Sequence, residues 1–236
     1  MSHLIRLLKG IRFFCSYLFW PQWGRKEMNV LHNNFDSGIK VSFIVNSVYN
    51  SRTYILTNGG NEAWLVDCGD VSAVIDKLTS LSHEVASVKG VLLTHVHYDH
   101  IYGLSRLIDF FPEVNVYTND YGKNALASSK LNLSKYHEDP IEFTSENVVV
   151  CTEGVDIELF EGVRAKVYYT PGHNPSCITY EIDNYLFTGD AFIPEVKVVT
   201  YLPGGDKKQA TQTIERIVRM SKGKRVCPGH ETACNH

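Results

Sequence analysis

VLLTHVHYDH, residues 91–100, decides how the rest of this chain is read. Val91, Leu92 and Leu93 form a compact apolar run of the kind a buried strand requires. His95 and His97 follow it two residues apart, so on an extended backbone their imidazoles project to one side. Asp99 and His100 fall where the chain turns into a helix, and they point elsewhere. One short segment can therefore offer two ligands to each of two metal ions. Imidazole with carboxylate suits zinc, and also iron or manganese. The plain alternative is a chance group of surface histidines. Four ligand-type residues within six positions, directly after a buried strand, argue against it.

Three further segments have a matching form. TPGH ends at His173, FTGD at Asp190 and CPGH at His230. Each is a strand-like run, then glycine, then a ligand-type side chain. Glycine lets the backbone turn tightly beside a crowded centre. Any one of these alone is more often a turn. Together with the first motif they describe a metal site assembled at the ends of several strands, where α/β folds commonly place sites.

Around these points the chain alternates strand-like and helix-like runs. IKVSFIV, TYILT, EAWLVD, VKGVLLT and VNVYT read as strands in the first half. NVVVCTEG, VDIELF, VRAKVYYT, CITYEI, YLFTG and KRVCP read as strands in the second. VSAVIDKLTSL after Asp70, GLSRLIDFF, DYGKNALASS and KKQATQTIERIVRM read as helices. Two sheets packed face to face with helices outside would bury these apolar faces, an α/β architecture. The segment from Lys123 to Thr144 reads either as a lid or as a solvated excursion.

The 236 residues carry a formal net charge of -3 and 44% hydrophobic side chains, an ordinary globular composition. No sustained basic stripe appears, which argues against a nucleic-acid partner. The six cysteines are scattered without a CxxC pair and read as reduced thiols, hence a cytoplasmic protein. Cys227, close to His230, is positioned to line the site. Residues 1–27 stand apart. LIRLLKGIRFFCSYLFW, residues 4–20, is basic and apolar and stops at Pro21. Its uncharged run from Phe13 to Trp20 is too short to span a bilayer. The reading preferred is an extension that packs or frays, with membrane contact through residues 1–20 disfavoured. Met28 offers an alternative start, and 28–236 is taken as the folded domain.

The motifs resemble those of the metallo-β-lactamase-fold superfamily, from about residue 38 to the end. The resemblance implies a four-layer αββα sandwich with its metals at one edge of the two sheets. It implies His95, His97 and His173 on one metal and Asp99, His100 and His230 on the second, with Asp190 bridging. The cofactors would be two zinc ions, with iron or manganese also compatible. Asp67 in LVDCGD would orient a ligating histidine, or simply cap a turn. The implied activity is a metal-dependent hydrolase, in which a hydroxide shared by the metals cleaves an ester-like bond, a thioester or lactone, in a small molecule. Asp99 would be the catalytic proton carrier.

Among the branches, zinc β-lactamases usually lack the aspartate found here as Asp190. The flavin-linked diiron branch carries a glutamate in its first motif that this chain does not have. The related nucleases carry motifs or insertions not found here. The chain instead resembles the glyoxalase II-like group, and YLPGGD at residues 201–206 is similar to that group's segment. Val198 and Val199 stand where a Gly-Arg pair is usual, and the chain ends six residues after His230, without that enzyme's helical substrate domain. The tyrosine of the lactonases has no counterpart, Ile193 standing there. Lys197 is the nearest cation, and Tyr98 either lines the pocket or packs. Two other readings are carried forward: a mononuclear iron persulfide dioxygenase and a metal-stabilised binding protein without activity. Substrate identity and oligomeric state stay open.

Overall fold

Along β2 and β3, successive side chains go to opposite faces, and that alternation builds the layers. The computed structural model describes residues 38–81 and 87–231. The apolar extension and the proposed boundary at Met28 lie outside them. The first sheet is formed by β1 (Lys40–Val45), β2 (Arg52–Thr57), β3 (Glu62–Val66), β4 (Ser87–Leu92), β5 (Asn115–Thr118) and β6 (Val148–Val150), adjacent in that order. Its first three strands are antiparallel; from β3 to β6 the neighbours are parallel. The second sheet has the order β11-β10-β9-β8-β7, with β7 Asp156–Phe160, β8 Val163–Tyr169, β9 Ile178–Ile182, β10 Tyr185–Gly189 and β11 Arg225–Pro228. Only β10 and β11 run parallel there.

Ile55, Leu65 and Val91 leave one face of the first sheet and pack with Val74 and Leu78 of α1 (Val71–Leu81) and Leu104 and Leu107 of α3 (Leu104–Phe110). Ala125 and Leu126 of α4 (Asp120–Leu126) join them. The alternate residues Tyr54, Leu56, Trp64 and Val66 leave the other face and meet Val167, Ile178, Tyr180 and Phe187 of the second sheet. The second sheet's outer face packs Leu186 against Ile217 of α5 (Lys207–Met220). The result is the four-layer αββα sandwich expected. Three polar tips inside it reach across: Trp64 Nε1 donates to Leu159 O at 2.7 Å, Tyr180 Oη to Leu93 O at 3.0 Å and Tyr54 Oη to Pro228 O at 2.8 Å. Each buried donor is thereby satisfied where an unpaired one would cost about 1–3 kcal/mol.

α5 shows why its sequence folds locally. Asp206 caps it by accepting from Gln209 N at 2.9 Å, and Ala210, Thr213 and Ile217 form the buried stripe. Asp70 precedes α1, yet its carboxylate takes Ser47 N and Oγ and Tyr102 Oη instead, tying the β1–β2 loop down. Cys227 does not line the site. It sits in the core between the sheets, where burial pushes its thiol up to about 12.

Candidate metal centre

Four strand ends deliver the seven residues that the sequence singled out. β4 leads into His95 and His97, and then into a one-turn helix, α2 (Tyr98–Ile101), that carries Asp99 and His100. His173 follows β8, Asp190 follows β10 and His230 follows β11. Glycine is required at three of these ends. At Gly172, φ is +133° and a Cβ would lie 2.3 Å from Ala210 N. At Gly189, φ is +50° and a Cβ would lie 2.3 Å from Thr94 Oγ1. At Gly229 a Cβ would lie 2.3 Å from Asp190 Oδ1. An L side chain does not fit these approaches.

The seven residues lie together in two groups. Donor atoms of His95, His97 and His173 fall within 4.8 Å of one another, as do those of Asp99, His100 and His230. His173 Nε2 is 2.9 Å from His97 Nδ1, and His100 Nε2 is 3.3 Å from His230 Nε2. Asp190 lies between the groups: its carboxylate is 3.7 Å from His173 Nε2, 3.6 Å from His100 Nε2 and 3.4 Å from His230 Nε2. Asp99 Oδ2 is 3.1 Å from His230 Nε2.

This donor set fits a pair of cations. His95 Nε2 and Asp190 Oδ1 are buried and have no hydrogen-bond partner. Converging imidazole and carboxylate lone pairs at this spacing are what divalent metals coordinate, and a cation there would satisfy both orphaned atoms.

The electrostatics differ between the groups. Burial, reinforced by the neighbouring imidazoles, holds His95 well below the ordinary histidine range. Burial also lowers His97, to about 3, and His173. His100 is buried too, but Asp99, Asp67 and Asp190 outweigh that and raise it to about 9. Asp190 and Asp99 likewise outweigh burial at His230 and raise it to about 11. Burial alone would raise Asp99, yet His100 and His230 hold it down at about 2.

Supporting groups surround the cluster; the sequence marked Asp67 among them and not the others. Asp67 takes His100 Nδ1 at 2.9 Å while accepting from Thr94 N and Oγ1, both at 2.7 Å, so it orients a histidine and ties two strand ends together. His173 Nδ1 meets Val199 O at 2.8 Å, and His230 Nδ1 meets Tyr49 O at 3.1 Å. Asn174 Nδ2 lies 2.9 Å from His97 Nε2, and Ser51 Oγ donates to Asp99 O at 2.7 Å. Val199 thus contributes through its backbone carbonyl. The 123–144 segment is neither a bare lid nor a solvated excursion. Asn132, Leu133, Ser134 and Phe143 are buried in it, and Asn132 Nδ2 donates to Ile141 O at 2.9 Å.

A four-layer αββα fold with clustered histidines and aspartates at its strand ends points to a class of metalloproteins, and the comparisons agree. Residues 47–230 match the family model of the metallo-beta-lactamase superfamily, and the chain belongs to that superfamily. A "Probable metallo-hydrolase" of Streptococcus pyogenes is 29% identical over 201 residues, covering 81% of this chain and 84% of its own. A hydroxyacylglutathione hydrolase of Tolumonas auensis is 26% identical over 182 residues, covering 77% of this chain. This chain spans 62% of that hydrolase, under two thirds of its length. Among solved structures, the BLEG-1 B3 metallo-beta-lactamase superposes with a TM-score of 0.72 at 26% identity, covering 82% of this chain and 92% of that one. Among the described residues no helix is long and apolar enough to cross a membrane.

Proposed function

We propose that the protein is a binuclear metallo-hydrolase that uses two zinc ions to cleave a thioester, or a related lactone, in a small molecule. The observation that carries this reading is Asp190, within 3.7 Å of a nitrogen in each histidine group. A carboxylate so placed suits a bridge between two ions. His95, His97 and His173 would hold one, and Asp99, His100 and His230 the other. Held there, the pair supplies an ionised water near neutral pH and a Lewis acid for the scissile carbonyl.

The chain's own residues do the rest. Asp99 accepts the proton of the attacking water and passes it to the leaving thiolate or alkoxide. Asp67 fixes the ring of His100, the carbonyls of Val199 and Tyr49 fix His173 and His230, and Thr94 holds Asp67. No serine or cysteine nucleophile is required.

The thioester preference is supported by the hydroxyacylglutathione hydrolase relative and by YLPGGD at residues 201–206. Strict glutathione recognition is not part of the proposal, because Val198 and Val199 offer no cation. We place the protein in the cytoplasm on the strength of its free, buried Cys68, Cys151, Cys177 and Cys227. The test is a panel of thioesters, lactones, phosphodiesters and a β-lactam, assayed on purified protein of measured metal content. Thioester turnover that is lost on chelation and restored by zinc is the expected outcome. Turnover undiminished by thorough chelation would overturn the reading.

A further inference from the structure

Three rings from three separate segments meet beside the metal centre. His137, on the 123–144 segment, stacks on Tyr98 of the motif helix with centroids 3.9 Å apart and planes 13° from parallel. Tyr49, in the β1–β2 loop, meets the edge of His137 at 5.8 Å and 67°. Tyr102 backs Tyr98 from the other side at 5.7 Å, its hydroxyl bonded to Asp70 at 2.6 Å. The wall is anchored to the centre at two points: Tyr98 precedes Asp99, and the carbonyl of Tyr49 receives His230 Nδ1.

We propose that Tyr49 and His137, the latter backed by Tyr98, form a subsite for an uncharged planar group, an aromatic ring or conjugated acyl chain, on the substrate of the metal centre. The inference rests on the hydrolase reading and adds a substrate class to it. The backbone at this point is costly. Tyr49 sits in the left-handed region at φ 53°, where a bulky aromatic residue is uncommon. That strained turn presents a tyrosine ring that stays 47% exposed. A turn built for folding alone has no need of an exposed ring there.

Charge narrows the class. Glu138 and Asp139, both exposed, follow His137, and their fields raise the Tyr98 hydroxyl after burial has done so. Lys135 is engaged over the Tyr136 ring at 5.0 Å. An anionic substituent would meet carboxylates at this wall. His137, lowered by burial, presents a neutral ring for stacking. Flat uncharged groups therefore gain most from it.

The test pairs a benzoyl thioester with the cyclohexanecarbonyl thioester of the same thiol, and adds a succinyl thioester. All three are assayed on the zinc-loaded protein. Benzoyl is expected to have the highest kcat/KM and succinyl the lowest. Y49A and H137A should each shrink the benzoyl-to-cyclohexanecarbonyl ratio about three- to tenfold, mainly through KM, on the scale of one aromatic pair. Y49F and H137F should keep it. An unchanged ratio in both alanine variants, or phenylalanine variants as impaired as alanine, would overturn the subsite. Benzamide and cyclohexanecarboxamide, which are bound without being cleaved, supply a readout independent of turnover. Tighter benzamide binding that is lost in Y49A and H137A would support the subsite even if no thioester were hydrolysed. Thioester turnover with no aromatic preference, and equal binding of the two amides, would remove the subsite and leave the hydrolase reading standing.

Discussion

The two halves of the centre are built from similar residues and prepared in opposite ways. His95, His97 and His173 lie among other imidazoles, and burial keeps them free of protons. Asp99, His100 and His230 are an ion-paired network, with His100 raised by Asp99, Asp67 and Asp190 and His230 by Asp190 and Asp99. The first half offers lone pairs directly. The second must give up protons before it can bind a cation. Carboxylates decide the difference, and Asp190, shared by both halves, is where they are coupled.

Removing that shared group should have the largest effect. D190A is expected to lower kcat/KM about a thousandfold or more, since it breaks the bridge that a two-metal hydrolysis needs. Metal counting by emission spectroscopy alongside the assay checks it, and full activity would sink the bridging role. Removing one ligand from each half sharpens the comparison. H173A should fail to retain metal after dialysis, whereas H230A should retain the ion of the first half while losing activity. Identical metal content in the two variants would mean that the halves are equivalent.

The pH dependence follows with a definite sign. Zinc binding to the first half should release no protons near pH 7.5, and binding to the second about two, read by calorimetry in buffers of different ionisation enthalpy. Below about pH 9, affinity for the second ion should therefore fall by up to about a hundredfold per pH unit. For the chelated protein, the raised pKa values of His100 and His230 stabilise the fold fully below their unfolded value of about 6.5. That contribution is lost as pH climbs through about 9 and about 11. The lowered histidines act oppositely, costing stability as pH drops below about 6.5. Asp99 contributes above its unfolded value of about 3.9 and stops doing so as pH falls through about 2. Thermal melts of chelated protein should thus be highest near about pH 6.5 and fall on either side.

Smaller effects belong to the supporting groups. D67N should weaken the second ion about 10- to 100-fold by freeing the His100 ring, with the first ion little changed. S51A removes the bond to Asp99 O and should cost about 1 kcal/mol in denaturant unfolding.

The sequence made the strands readable because their apolar runs either alternate or continue without break, as in TYILT and VKGVLLT. The seven candidate residues were readable because four strand-like runs lead into them. Strand order was not: that β10 and β11 pair in parallel is set by α5 crossing between them, and no residue type announces it. The carbonyls of Tyr49 and Val199 were invisible for a similar reason. A backbone acceptor can belong to any residue, and Tyr49 lies 181 positions from the histidine it holds. No motif singled out His137, because only packing brings it onto Tyr98.

Anomalous diffraction from crystals grown with zinc, recorded on both sides of its absorption edge, tests the centre most directly. The account predicts two peaks about 3.5–4 Å apart, one among His95, His97 and His173, the other among Asp99, His100 and His230, with Asp190 touching both. A single peak outside these residues, or none, would contradict it.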